Sequence, residues 1–149
     1  MKIEKRDDLI IVYLIDTFYS NLERKELINE IKKIFIRLTK YYNYELKGIF
    51  DVYLYENIKY GTVLEIISKD ELLFRGEYID INLKIYKNKN FYFKTKDYFV
   101  LKKYNNIYYY KDNYYINIEN IDNYLKIMEH GTLLYKEKDN YLNKMKFIQ

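Results

Sequence analysis

Apolar residues recur at three- and four-residue steps along only one long stretch of this chain, and at two-residue steps through much of the remainder. Leu27, Ile28, Ile31, Ile34, Phe35, Leu38 and Tyr42 make the first pattern, while Arg24, Glu30, Lys33, Arg37 and Lys40 take the other side. A period of 3.6 residues gathers the first set into one stripe, so the segment is an amphipathic helix with a single face to bury. One long helix among strands closes a core by lying on a sheet. The pattern therefore predicts the α+β class, a mostly antiparallel sheet with one long amphipathic helix packed on one face and a short C-terminal helix.

The strands come from the second period. Residues 9–15 are apolar on both faces, which predicts a central strand, and residues 16–21 connect it to the helix. Ser20 with Glu23 three residues on makes a capping-box pattern. Phe50, Val52 and Leu54 alternate with Asp51, Tyr53 and Tyr55. Residues 56–61 then turn the chain into a hairpin partner over 62–67, with a longer loop over 69–76. Ile79, Ile81, Leu83 and Ile85 oppose Tyr78, Asp80, Asn82, Lys84 and Tyr86 on the clearest strand. After a turn at 88–90, Phe91 and Phe93 alternate with Tyr92 and Lys94.

Residues 98–101 read either as a short strand or as a helical turn. Residues 107–110 and 114–118 form a second hairpin about Lys111, Asp112 and Asn113. Ile121, Tyr124, Leu125 and Met128 predict the short helix, with Gly131 as its left-handed terminator. A last strand is expected over 133–135, and the tail around Tyr141, Leu142 and Met145 either closes as a helix or frays.

A length of 149 residues is that of one domain, 1–149, and no proline-, serine- or glycine-rich linker divides it. The absence of cysteine excludes disulfides, thiolate nucleophiles and thiolate metal ligands. The longest apolar run, 9–15, is too short to span a bilayer, and acids on both sides disqualify it as a signal peptide. A cytoplasmic protein without a membrane partner is expected.

Tyrosine occurs 21 times, glycine four times, and proline, tryptophan and alanine never. That bias is what AT-rich codons produce and points to an AT-rich genome. Abundance of Lys or Tyr alone is then no argument for a ligand.

Chemistry finds little purchase. His130 is the lone histidine, beside Gly131 at an expected helix end, where a polar or cationic side chain suits the dipole. One histidine supplies neither a zinc site nor, without a positioned carboxylate, a serine-type triad. Asp51, Glu65, Asp80 and Lys84 are the residues a carboxylate-dependent nuclease would need, yet outward carboxylates on strands are an ordinary solvated face. The glycines at 48, 61, 76 and 131 are isolated, so no phosphate-cradling loop exists. No catalytic residue, cofactor site or metal site is assigned.

Charge is unevenly placed. Residues 1–75 carry 13 basic and 13 acidic side chains, and residues 76–149 carry 13 and nine. Within 84–111, eight lysines face the single acid Asp97. Lys84, Tyr86, Tyr92, Lys94 and Lys96 are thus a candidate surface for single-stranded nucleic acid, with rings for bases and ammonium groups for phosphates. All four arginines lie elsewhere. Tyr108, Tyr109, Tyr110, Tyr114 and Tyr115 across the second hairpin are a candidate protein-interaction surface, because tyrosine gives large contact area at little entropic cost.

The tyrosine-rich hairpin of 109–118, then a short helix, a glycine and a strand over 124–135, locally resembles the end of MecA-type adaptor proteins. That resemblance implies an adaptor role. The leading expectation is a non-enzymatic, adaptor-like module with an unidentified protein partner. A nucleic-acid-binding module using 84–111 is the alternative.

Overall fold

The computed structural model describes residues 1–69 and 79–148. It is an α+β fold of two compact units, one of Met1–Glu56 with Thr62–Lys87, the other of Asn57–Gly61 with Asn88–Gln149.

The first unit holds β1 (Lys2–Arg6), β2 (Leu9–Ile15), α1 (Arg24–Tyr42), β3 (Gly48–Asn57), β4 (Gly61–Ser68) and β5 (Ile79–Tyr86). The strands form one sheet in the order β1-β2-β4-β3-β5. β2 is interior, as its two apolar faces require. It pairs antiparallel with β1, a strand the sequence pattern does not announce because Ile3 is its sole apolar residue. β5 pairs parallel with β3, with Val52 opposite Leu83, within the mostly antiparallel pairing expected. The expected loop over 69–76 and the position of Tyr78 lie largely outside the described residues.

Five of the seven stripe residues of α1 (Leu27, Ile31, Ile34, Phe35 and Leu38) are buried. They share a cluster with Ile10, Val12 and Leu14 of β2, Phe50, Val52 and Leu54 of β3, Leu64 and Ile66 of β4, and Ile81 and Leu83 of β5. Phe35 meets Phe50 edge-on at 5.2 Å, and Arg24 donates to the Leu83 carbonyl at 2.6 Å. Each such buried Leu, Ile or Phe contributes about 1.5–3 kcal/mol. The capping box does not form. Glu23 itself is the N-cap, in extended backbone and without a side-chain cap bond. Asn43 ends the helix in the left-handed conformation, its N–H donating to Leu38.

The second unit holds β6 (Tyr92–Thr95), a one-turn helix α2 (Tyr98–Leu101), β7 (Tyr108–Tyr110), β8 (Asn113–Asn117), β9 (Thr132–Leu134) and β10 (Lys146–Phe147). Its sheet runs β10-β7-β8-β6-β9, and neighbouring strands pair antiparallel throughout. Lys111 and Asp112 both take positive φ, 46° and 64°, so a two-residue turn whose twist suits the strands joins β7 to β8. Asn113, expected in that turn, instead pairs with Tyr110.

The helical segment expected around 121–128 takes the form of two 3-10 turns, Tyr124–Lys126 and Met128–His130. Gly131 follows in extended rather than left-handed backbone, with φ of −173°. It is glycine for want of room. A Cβ there would strike the Lys94 carbonyl, with the Phe93 ring also inside van der Waals contact. The tail makes a 3-10 turn, Tyr141–Lys144, and then the short edge strand β10.

Candidate interaction surface

Side chains alternate across the β10-β7-β8-β6-β9 sheet, so its register sorts the hairpin tyrosines into two sets. On one face Phe147 lies opposite Tyr108, Tyr108 opposite Tyr115, and Tyr115 opposite Lys94. Tyr110 and Tyr92 share that face two residues along their strands. On the other, Tyr109 lies opposite Tyr114, alongside the buried Phe93 and Ile116.

The inner part of the first face is closed. Tyr141 covers Tyr92 and Tyr115 at ring separations of 5.4 and 6.0 Å, and the Tyr92 hydroxyl donates to the Asp139 carbonyl at 3.3 Å. Tyr92 is 2% exposed and Tyr115 5%. The Tyr92 ring thus has no face to offer a base. Burial raises the pKa of both phenols. For Tyr141, burial first and then Tyr115 and Glu137 push the pKa up to about 12, its hydroxyl being hydrogen-bonded to Tyr115.

On the second face, Tyr114 packs against both Tyr109 and Tyr98, at 5.2 and 5.4 Å. The Tyr109 hydroxyl donates to Asp112 at 2.9 Å, which raises its pKa. Of the five hairpin tyrosines, Tyr109 and Tyr114 therefore engage one another and the turn, and Tyr115 is covered by Tyr141.

The outer part of the first face remains exposed. Phe147 is 56% exposed and Tyr110 41%, and Phe147 touches Tyr108 at 5.3 Å. The Ile148 N–H donates to the Ile107 carbonyl at 2.9 Å, so the backbone pins this tail beside β7. Lys111 lies 5.1 Å from the Tyr110 ring. The result is an aromatic strip across β7 and the two-residue edge strand β10, with a cation at its end. Phe147 and Ile148 are not among the residues the sequence pattern singles out. The period of so short a strand cannot be read.

The basic candidates divide. Lys84 and Tyr86 lie on the outward face of β5 in the first unit, both exposed. Tyr86 stacks on Tyr55 at 5.1 Å with the rings 10° from parallel, so one of its faces is taken. The Tyr55 pKa is raised by burial, then by Glu65, to which its hydroxyl is bonded. Tyr92, Lys94 and Lys96 belong to the second unit, with Lys94 half-buried and Lys96 exposed.

Comparison with known proteins finds no matching family model, no matching curated protein and no matching solved structure. The resemblance over 109–135 therefore rests on those residues alone.

Among the described residues no three His, Asp or Glu side chains gather as metal ligands. Asp51 is engaged by Lys69 at 2.7 Å and by Asn82 at 3.4 Å. His130 is exposed at the end of its 3-10 turn. No helix among the described residues is long and apolar enough to cross a membrane.

Proposed function

We propose that this chain is a non-enzymatic, adaptor-like protein-binding module of the cytoplasm. In this reading it docks a protein partner on the strip formed by Tyr108, Tyr110 and Phe147. The observation that carries it is the contrast within one sheet face. Tyr92 and Tyr115 are sealed beneath Tyr141, whereas Phe147 and Tyr110 stand open beside them. Aromatic side chains are the residues that interfaces concentrate at their anchoring points. The partner's matching surface is apolar with acidic groups at its rim, because Lys111 flanks Tyr110 and the adjacent carboxylate, Asp112, accepts the Tyr109 hydroxyl.

The test is a pull-down from the native cytoplasm, with and without nuclease treatment, using the wild type and a Tyr110→Ser/Phe147→Ser double variant. Both residues are exposed, so the variant is expected to keep the wild-type melting temperature. A protein retained by the wild type and lost by the variant supports the reading. Equal retention by both, or retention that nuclease abolishes, overturns it.

A further inference from the structure

The second unit carries an open concavity of about 630 Å³ that is chemically unlike the aromatic strip. One wall is α2 and the residues after it, with Phe99, Lys102 and Lys103. The other is the 3-10 region, with Lys126, Ile127 and His130. Ile127 is buried and gives the apolar floor, while Phe99 stands 76% exposed at the rim. The volume suits a ligand the size of a nucleotide.

Hydrogen bonds within the protein tie the two walls together. The Thr95 hydroxyl donates to the His130 carbonyl at 2.7 Å and accepts from the Asp97 N–H at 3.1 Å. The Asp97 carboxylate in turn accepts from the Phe99 N–H at 3.0 Å. That bond caps α2 and holds the backbone beneath Phe99, and three lysines against this one carboxylate leave the lining with a surplus of positive charge. Lys102, Lys103 and Lys126 border the apolar floor, with Lys102 Nζ 5.6 Å from the exposed Phe99 ring and Lys103 Nζ 5.2 Å from that of Tyr104. Such a set attracts a planar anion, its ring on Phe99 and its charge among the lysines.

We propose that this concavity binds a nucleotide, either free or as part of a single strand. The base stacks on Phe99, and Lys103 and Lys126 receive the phosphate. The site is distinct from the basic strands suggested by the sequence, where Tyr92 is buried and Tyr86 is already stacked on Tyr55. It uses none of the residues of the protein-docking strip.

The experiment is fluorescence anisotropy of the full chain with a labelled, 5′-phosphorylated single-stranded RNA hexamer, at two salt concentrations. Adenosine monophosphate, adenosine and inorganic phosphate serve as competitors. Saturable binding is expected at about 0.15 M salt. Phe99→Ala should weaken it roughly tenfold. Lys103→Gln/Lys126→Gln should weaken it at least about tenfold and flatten its salt dependence.

Displacement by adenosine monophosphate at concentrations where adenosine and phosphate fail supports a free nucleotide as ligand. Displacement by strands alone supports a nucleic acid. The Tyr110→Ser/Phe147→Ser variant should keep wild-type affinity, so the two proposals fail separately. Absence of saturable binding, or affinity that neither Phe99→Ala nor the lysine pair moves, overturns the inference.

Discussion

Gly131 shows what one position can demand of a chain. Its neighbours, rather than its dihedrals, exclude a side chain, since any residue can adopt φ near −173° but no Cβ fits against the Lys94 carbonyl. Gly131→Ala must push β6 away or distort the entry to β9, which pairs with β6 at Lys94–Thr132. A loss of about 1–3 kcal/mol is expected, read as a lower urea midpoint at unchanged slope. An unshifted midpoint would show that the Lys94 backbone yields freely. From the sequence alone, Gly131 reads as a helix terminator. Glycine marks a special position in either case, and only the three-dimensional neighbours say whether the need is for conformation or for space. The same limit applies to Ser20 and Glu23, whose spacing fits a capping box. Glu23 is the N-cap, and the box goes unmade.

The elements most legible in the sequence are those whose burial is one-sided over many residues. α1 keeps its period for 19 residues, so the spacing alone assigns to the core five positions that are indeed buried. Ile31 is fully buried, whereas Lys33 is exposed and pairs with Glu30 at 3.0 Å. Ile31→Asp places an unpaired charge among apolar side chains and should cost at least about 3 kcal/mol. Lys33→Asp loses a surface pair and should cost under about 1 kcal/mol. Thermal melts of the two variants check this, and equal melting temperatures would mean the buried face is misassigned. β1 and β10 are illegible for the opposite reason. They have five and two residues, mostly exposed, and are strands by virtue of their partners β2 and β7. The parallel pairing of β5 with β3 is equally hidden. Alternation tells which residues share a face and is silent on strand direction.

At the scale of the whole molecule, an uninterrupted run of alternating strands reads as one sheet, yet β5 and β6 belong to different sheets and different units. The boundary near Asn88 looks like a hairpin turn, down to its left-handed backbone at φ of 56°. No proline or glycine marks it. What both units share is buried tyrosine, and this gives the chain a common response to alkali. In the first unit, burial and then Glu4 push the Tyr13 pKa up to about 12, and in the second, burial pushes Tyr141 up to about 12. An unfolded phenol ionises near 10.0. Between these values the unfolded chain has released protons that the folded chain still holds, so stability falls as pH rises through this window. Below pH 10 the contribution is complete, and above 12 it is gone. Tyr13→Phe/Tyr141→Phe removes both ionisations at the cost of two hydroxyl contacts. Lysine deprotonation in the same range is common to variant and wild type and cancels in the comparison. The variant should begin somewhat less stable at neutral pH and lose less between pH 10 and 12. Urea midpoints across the window, read beside tyrosinate absorbance, measure both. Parallel curves for the two proteins would show that these phenols ionise as freely in the fold as outside it.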